Sequence, residues 1–144
     1  MGDKNISIGL FGFGCVGQGL YDVLNHSEGF RANISKICVK DKNKKRSIDA
    51  SYFTYDKNEI LKEGSNLNVI VELIDNSEEA FAIVKAAMNN GVSVVTANKK
   101  MLAEHFRELY KLQEKNNVAL IYEGSAGGSI PIIRNLEEYY DNEL

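Results

Sequence analysis

The chain has 144 residues, 44% hydrophobic and 26% charged, with a formal net charge of -3. That length suits one domain of ordinary size, able to bury roughly two-thirds of its unfolded surface without a disulfide or a metal. The mild negative balance gives no electrostatic footing for nucleic acid or an anionic membrane, and two cysteines, Cys15 and Cys38, allow at most one bridge and do not make a secreted disulfide scaffold.

The first apolar run, residues 6–11, is far too short to span a bilayer and has no basic segment or cleavage site around it. A reducing, cytoplasmic setting is therefore expected, with no membrane contact. The run leads into Gly12-Phe13-Gly14-Cys15-Val16-Gly17 and a helical pattern over 16–25. A Val/Ile-rich run over 34–39 predicts a second strand. Residues 41–64 are polar, with one short strand expected near 52–55. Further strands are expected at 69–74, 92–96 and 118–122, all with little polar alternation, as in strands covered on both faces.

Between them, Phe81, Val84 and Met88 share one face of a helix over 78–90, which Asn90-Gly91 closes. Leu102, Phe106, Leu109 and Leu112 form an apolar stripe over 100–116. From residue 130 the chain starts helical and then turns acidic. Strand alternating with helix predicts an α/β fold, a doubly wound, mostly parallel sheet between two helical layers. The whole chain, 1–144, reads as one dinucleotide-binding domain of the Rossmann type.

The glycine turn carries most of that reading, because it follows a strand and opens a helix. Gly12 permits the tight turn, Gly14 lets a pyrophosphate approach the backbone, and Gly17 lets the helix pack close to the sheet. The helix N-terminus then offers free N–H groups and a positive dipole end. Cys15 sits at that N-terminus, where a thiol can gain acidity; a small residue facing the cofactor is the plainer reading. An NAD-specific fold ends its second strand on an acidic residue that holds the ribose 2′-OH. Here the position holds Lys40, and Lys42, Lys44, Lys45 and Arg46 follow, a set suited to a 2′-phosphate. Asp41, one position later, keeps NAD open beside NADP. His26 and His105 have no partners at metal-ligand spacing.

Two strand-end segments follow. Thr96-Ala97-Asn98-Lys99-Lys100 leaves a buried strand, toward either a ligand or a helix cap. Tyr122 to Pro131 holds Glu123 beside three glycines in five residues, which reads as a flexible turn or as a carboxylate with carbonyls for a hard cation.

In these four blocks, the glycine turn, Val71-Glu72-Leu73-Ile74-Asp75-Asn76-Ser77, the Thr-Ala-Asn-Lys segment and the Glu123 to Pro131 segment, the sequence resembles the cofactor-binding domain of homoserine dehydrogenases. The resemblance implies an oxidoreductase that interconverts L-homoserine and L-aspartate-4-semialdehyde with NADP or NAD, on the route to threonine and methionine. It also implies roles. Phe13, Gly14, Cys15, Val16 and Gly17 would hold the pyrophosphate, and Lys40 the 2′-phosphate. Asn76 and Ser77 would lie near the nicotinamide ribose, and Lys99, the motif lysine, beside the nicotinamide and the reacting substrate. Glu123 with the carbonyls of Ala126, Gly128 and Ile130 would hold a monovalent cation, usually sodium. Asp75-Asn76 stands where many relatives carry two glycines. In the family, the substrate-binding and dimerisation region follows this domain, so the expectation is a homodimeric parent enzyme and a chain inactive by itself. A related amino-acid or semialdehyde dehydrogenase and a stand-alone nucleotide-sensing module are the alternatives.

Overall fold

The computed structural model describes residues 5–26, 29, 31–62, 64–128 and 130–140. Six strands form one sheet: β1 (Ile6–Phe11), β2 (Ala32–Cys38), β3 (Phe53–Thr54), β4 (Val69–Glu72), β5 (Ser93–Thr96) and β6 (Leu120–Ile121). Their order is β3-β2-β1-β4-β5-β6 and every pairing is parallel. The helices are α1 (Cys15–His26), α2 (Asn58–Leu61), α3 (Ser77–Asn89), α4 (Lys99–Asn116), α5 (Glu123–Ala126) and α6 (Ile132–Tyr140). This is the doubly wound Rossmann architecture, with the order reversing between β1 and β4.

Two apolar clusters flank the sheet. Ile70, Val94, Val84, Met88 and Leu109 belong to the cluster beneath α3 and α4. Ile8, Leu10, Ile37 and Phe13 belong to the other, against which Leu20 and Tyr21 of α1 pack. Central strands that are apolar on both faces follow directly from burial under two helical layers.

The stripe on α4 runs differently from the expected one. Met101, Leu102 and Leu109 are buried, whereas Phe106 is 39% exposed. The buried face includes one side of His105, whose ring stacks on Phe81 at 3.8 Å between centroids, so a histidine occupies a position an apolar count passes over. The short strand expected near 52–55 splits into a 3-10 turn at Ala50–Tyr52 and the two-residue β3. Among the described residues, no helix is long and apolar enough to cross a membrane.

Candidate functional site

The carboxyl ends of β1, β2 and β4 open on a cavity of about 560 Å³ at the point where the strand order reverses. It is lined by residues 11–17, by the ends of β2 and β4, and by Glu79 and Ile83 of α3. Gly12, Phe13, Gly14, Cys15, Val16, Gly17, Lys40 and Asn76 all lie in that lining.

The turn is built as its glycines require. Gly12 has φ +93°, and a Cβ there would sit 2.6 Å from the Leu73 carbonyl oxygen. A Cβ on Gly17 would sit 2.7 Å from the carbonyl oxygen of Gly12, so α1 can lie against the turn only with hydrogen at that position. A Cβ on Gly14 would meet nothing within 4 Å. Open space therefore lies before the first turn of α1, where helix geometry leaves N–H groups without intrahelical partners. The Phe13 ring is buried, edge-on to Phe53 at 5.3 Å and to Tyr21 at 6.2 Å, which leaves its main chain to face a ligand.

The β2 side of the cavity is basic. Lys40, Lys44, Arg46 and Lys57 line it, and Asp41 shares the wall. Lys40 is paired with Glu79 of α3, the lysine exposed and the glutamate half-buried; a contact open to solvent on one side contributes about 1 kcal/mol, so an incoming phosphate can displace it. The Asp41 carboxylate accepts N–H bonds from Asn43 (2.8 Å) and Lys44 (3.2 Å), which closes the turn on itself. Arg46 is held by the carbonyls of Asp41 (2.7 Å) and Lys44 (2.9 Å) and lies over the Phe53 ring at 4.9 Å. Lys42 lies over Tyr55 instead, at 5.3 Å. Lys57 and Glu79 were not foreseen: both come from distant parts of the chain, and only tertiary folding brings them to the β2 end.

On the other side of the switch point, Asn76 caps α3 by accepting the Glu79 N–H at 2.8 Å, and Ser77 is buried as the first helical residue. Lys99 is the first residue of α4 and exposed; neither Ser77 nor Lys99 lines the cavity. Thr96 and Asn98 are buried. Asn98 caps α4 by accepting the Met101 N–H at 3.0 Å, so of the two readings left open for this segment the cap is the one seen for Asn98. The hydroxyl of Thr96 donates to Glu72 at 2.5 Å. Glu72, fully buried at the end of β4, also accepts the Ile74 N–H at 2.7 Å. Burial pushes its carboxyl above the usual range, against the opposing pull of those hydrogen bonds. The sequence did carry a signal for it, a lone carboxylate closing the apolar run Val69-Ile70-Val71.

Beyond β6, Glu123 begins the short α5, and its carboxylate oxygens accept the N–H groups of Ile133 (2.9 Å) and Arg134 (3.1 Å). It thus ties the start of α6 back to the strand end. The carbonyl of Ile130 accepts from the Ile132 N–H at 2.8 Å. Ala126 ends α5, and Gly128 turns the chain with φ +61°. The segment is an organised helix–turn–helix rather than a free glycine loop. Its carboxylate and carbonyl oxygens are of the type that hard cations take, and each carboxylate oxygen keeps a further lone pair beside its N–H bond.

The sequence and fold have counterparts among known proteins. The family described as homoserine dehydrogenase, NAD binding domain, matches residues 12–123. The homoserine dehydrogenase of Neisseria gonorrhoeae is 37% identical over 143 residues, covering 94% of this chain and 33% of that protein. The fold is similar to that of a homoserine dehydrogenase from Thiobacillus denitrificans, with a TM-score of 0.86 at 29% identity over 94% of this chain and 33% of that one. It is also similar to a hyperthermophilic archaeal homoserine dehydrogenase in complex with NADPH, with a TM-score of 0.75 at 26% identity over 91% and 47% of the two chains. The chain spans about a third of the length of curated relatives such as the Neisseria gonorrhoeae and Lactococcus lactis homoserine dehydrogenases. With the glycine turn and the ends of β2, β4 and β5 all inside the matched span, the chain belongs to the family of homoserine dehydrogenase NAD-binding domains.

Proposed function

We propose that this chain is the cofactor-binding part of an enzyme that interconverts L-homoserine and L-aspartate-4-semialdehyde by hydride transfer. The observation that carries the reading is the open space before Gly14, at a helix N-terminus inside a basic-walled cavity. A bound nicotinamide dinucleotide supplies or accepts the hydride. The main chain of residues 13–17 binds its pyrophosphate through N–H groups and the helix dipole. Lys40, with Lys44, Arg46 and Lys57 around it, takes a 2′-phosphate, which favours NADP over NAD. The complex of the archaeal relative with NADPH supports binding of that nucleotide here. Asn76, in the cavity wall, is assigned to the nicotinamide ribose; Ser77 and Lys99 lie outside that wall, at the starts of α3 and α4, and are assigned by the family motif alone, Ser77 to the same ribose and Lys99 to the substrate oxygen, where its charge would stabilise a developing oxyanion.

Glu123, with the carbonyls of Ala126, Gly128 and Ile130, is proposed to hold a sodium ion that braces the β6 end. Substrate binding and homodimer formation are assigned to sequence outside residues 1–144. The share of each relative left uncovered supports this, as do the exposed apolar side chains Ile130, Ile132 and Leu136 around α6. A cytoplasmic setting fits the two free thiols.

A chimera tests the assignment. This chain replaces the matching third of the Neisseria gonorrhoeae homoserine dehydrogenase, and homoserine-dependent reduction of NADP is followed by absorbance. The chimera is expected to turn over homoserine while the isolated chain does not. A folded chimera that binds NADPH but leaves homoserine unreacted would contradict the assigned activity.

A further inference from the structure

Glu72 is 0% exposed in a strand that is otherwise Val69-Ile70-Val71. A carboxylate there is costly unless its oxygens are hydrogen-bonded, and a leucine would fill similar space without that cost. What the carboxylate holds explains it. Glu72 is paired in register with Thr96 on β5. Its Oε2 accepts the Thr96 hydroxyl at 2.5 Å and its Oε1 accepts the Ile74 N–H at 2.7 Å. Thr96 Oγ1 in turn accepts the Asn98 N–H at 3.1 Å, and Asn98 Nδ2 donates to the Ile74 carbonyl at 3.0 Å. The circuit closes on Ile74, both of whose main-chain polar groups it occupies. Ile74 leads into Asp75 and Asn76 in the cavity wall, and Asn98 leads into Lys99. These bonds add nothing to the ladder between β4 and β5, which has its own register. They fix one strand-end loop relative to the other.

We propose that Glu72 is a positioning residue for the nicotinamide half of the cofactor, acting through Thr96 and Asn98 to hold the β4 and β5 end loops in one arrangement. The inference rests on the function proposed above. In a sheet of this order the two halves of a dinucleotide lie on opposite sides of the switch point. The basic wall stands at the β2 end, and the Glu72 circuit lies wholly at the β4–β5 end. Breaking the circuit therefore disturbs one half of the ligand and spares the other.

The test compares NADPH with 2′,5′-ADP, the half-ligand that lacks the nicotinamide end, in calorimetric titrations of this chain. In Glu72→Gln a donor NH2 replaces one of the two acceptor oxygens, so the bond to Thr96 must reverse or break where the carboxylate accepted it. NADPH affinity is expected to fall about tenfold, the loss of one buried hydrogen bond, while 2′,5′-ADP stays within about twofold. Thr96→Val is expected to give the same split and Thr96→Ser, which keeps the hydroxyl, to restore NADPH binding; these two carry the test if Glu72→Gln does not fold. Equal weakening of both ligands, or no change in either, would overturn the inference while leaving the proposed function standing. A wild-type chain that binds neither ligand would overturn both.

Discussion

A methyl group added at Gly14 would meet no protein atom within 4 Å, whereas one added at Gly17 would lie 2.7 Å from a main-chain oxygen. The two substitutions to alanine should therefore separate binding from folding. Gly14 lies outside the left-handed region, and its carbonyl accepts the first bond of α1, from Gln18, at 2.9 Å. Alanine there changes stability by no more than about 1 kcal/mol, or ~4 °C in Tm for a chain of this size. The same methyl occupies the space a phosphate must enter to reach the N–H groups of the helix. Two lost charge-assisted hydrogen bonds, at about 1.5 kcal/mol or more each, weaken NADPH at least ~100-fold. At Gly17, α1 must move off the turn, an overpacking cost of about 1–3 kcal/mol. Thermal melts by circular dichroism paired with NADPH titration read both effects. A Gly14→Ala chain with wild-type affinity, or one less stable than Gly17→Ala, would refute the reasoning.

Cys15 is exposed beside the cavity, whereas burial, with some help from Glu79, pushes the half-buried Cys38 thiol up. A disulfide reagent should modify one thiol quickly and the other slowly; NADPH should suppress the fast phase and Cys15→Ser should remove it, and a fast phase indifferent to saturating NADPH would count against the site. The raised carboxyl of Glu72 favours the neutral form in the fold. Its contribution to stability is therefore complete below the ordinary carboxylate value and is lost as pH rises through the raised one. The Tm difference between wild type and Glu72→Gln should accordingly move in favour of wild type as pH falls from about 8 to about 5, and a flat difference contradicts it. Replacing choline chloride by sodium chloride should raise Tm by a few degrees, ~1 kcal/mol at several times the dissociation constant. Glu123→Gln should abolish that response, and an unchanged response would remove Glu123 from the cation site.

The parts of this fold that were legible in the sequence are those where local chemistry admits one answer. Gly12 and Gly17 have main-chain oxygens where a side chain would go, so the turn shows as its glycines. The strands β1, β4 and β5 show as apolar runs because helices cover both faces. Residues 41–64 were opaque because β3 has two residues and α2 four, too few for any period to register. Lys40 was visible just past the end of β2, but the hold of the Asp41 and Lys44 carbonyls on Arg46 depends on a turn with no periodic signal, and the arrival of Lys57 and Glu79 exists only once distant segments meet. The glycine-rich block hid one feature: the helix expected from residue 130 is present as α6, but the short α5 before it, and the bonds by which Glu123 caps α6 across ten residues, do not show in the glycine pattern. Glu72 belongs to a motif visible in the sequence, but what its carboxylate meets depends on the register that sets it opposite Thr96.

The most direct test of the account is titration of the purified chain with NADPH and NADH, for wild type and for Lys40→Ala. Single-site micromolar binding of NADPH, tighter than NADH and weakened roughly tenfold in the variant (~1.4 kcal/mol), is the expected result. No binding of either nucleotide at about millimolar concentration would contradict the claim that the cavity beside Gly14 is a dinucleotide site.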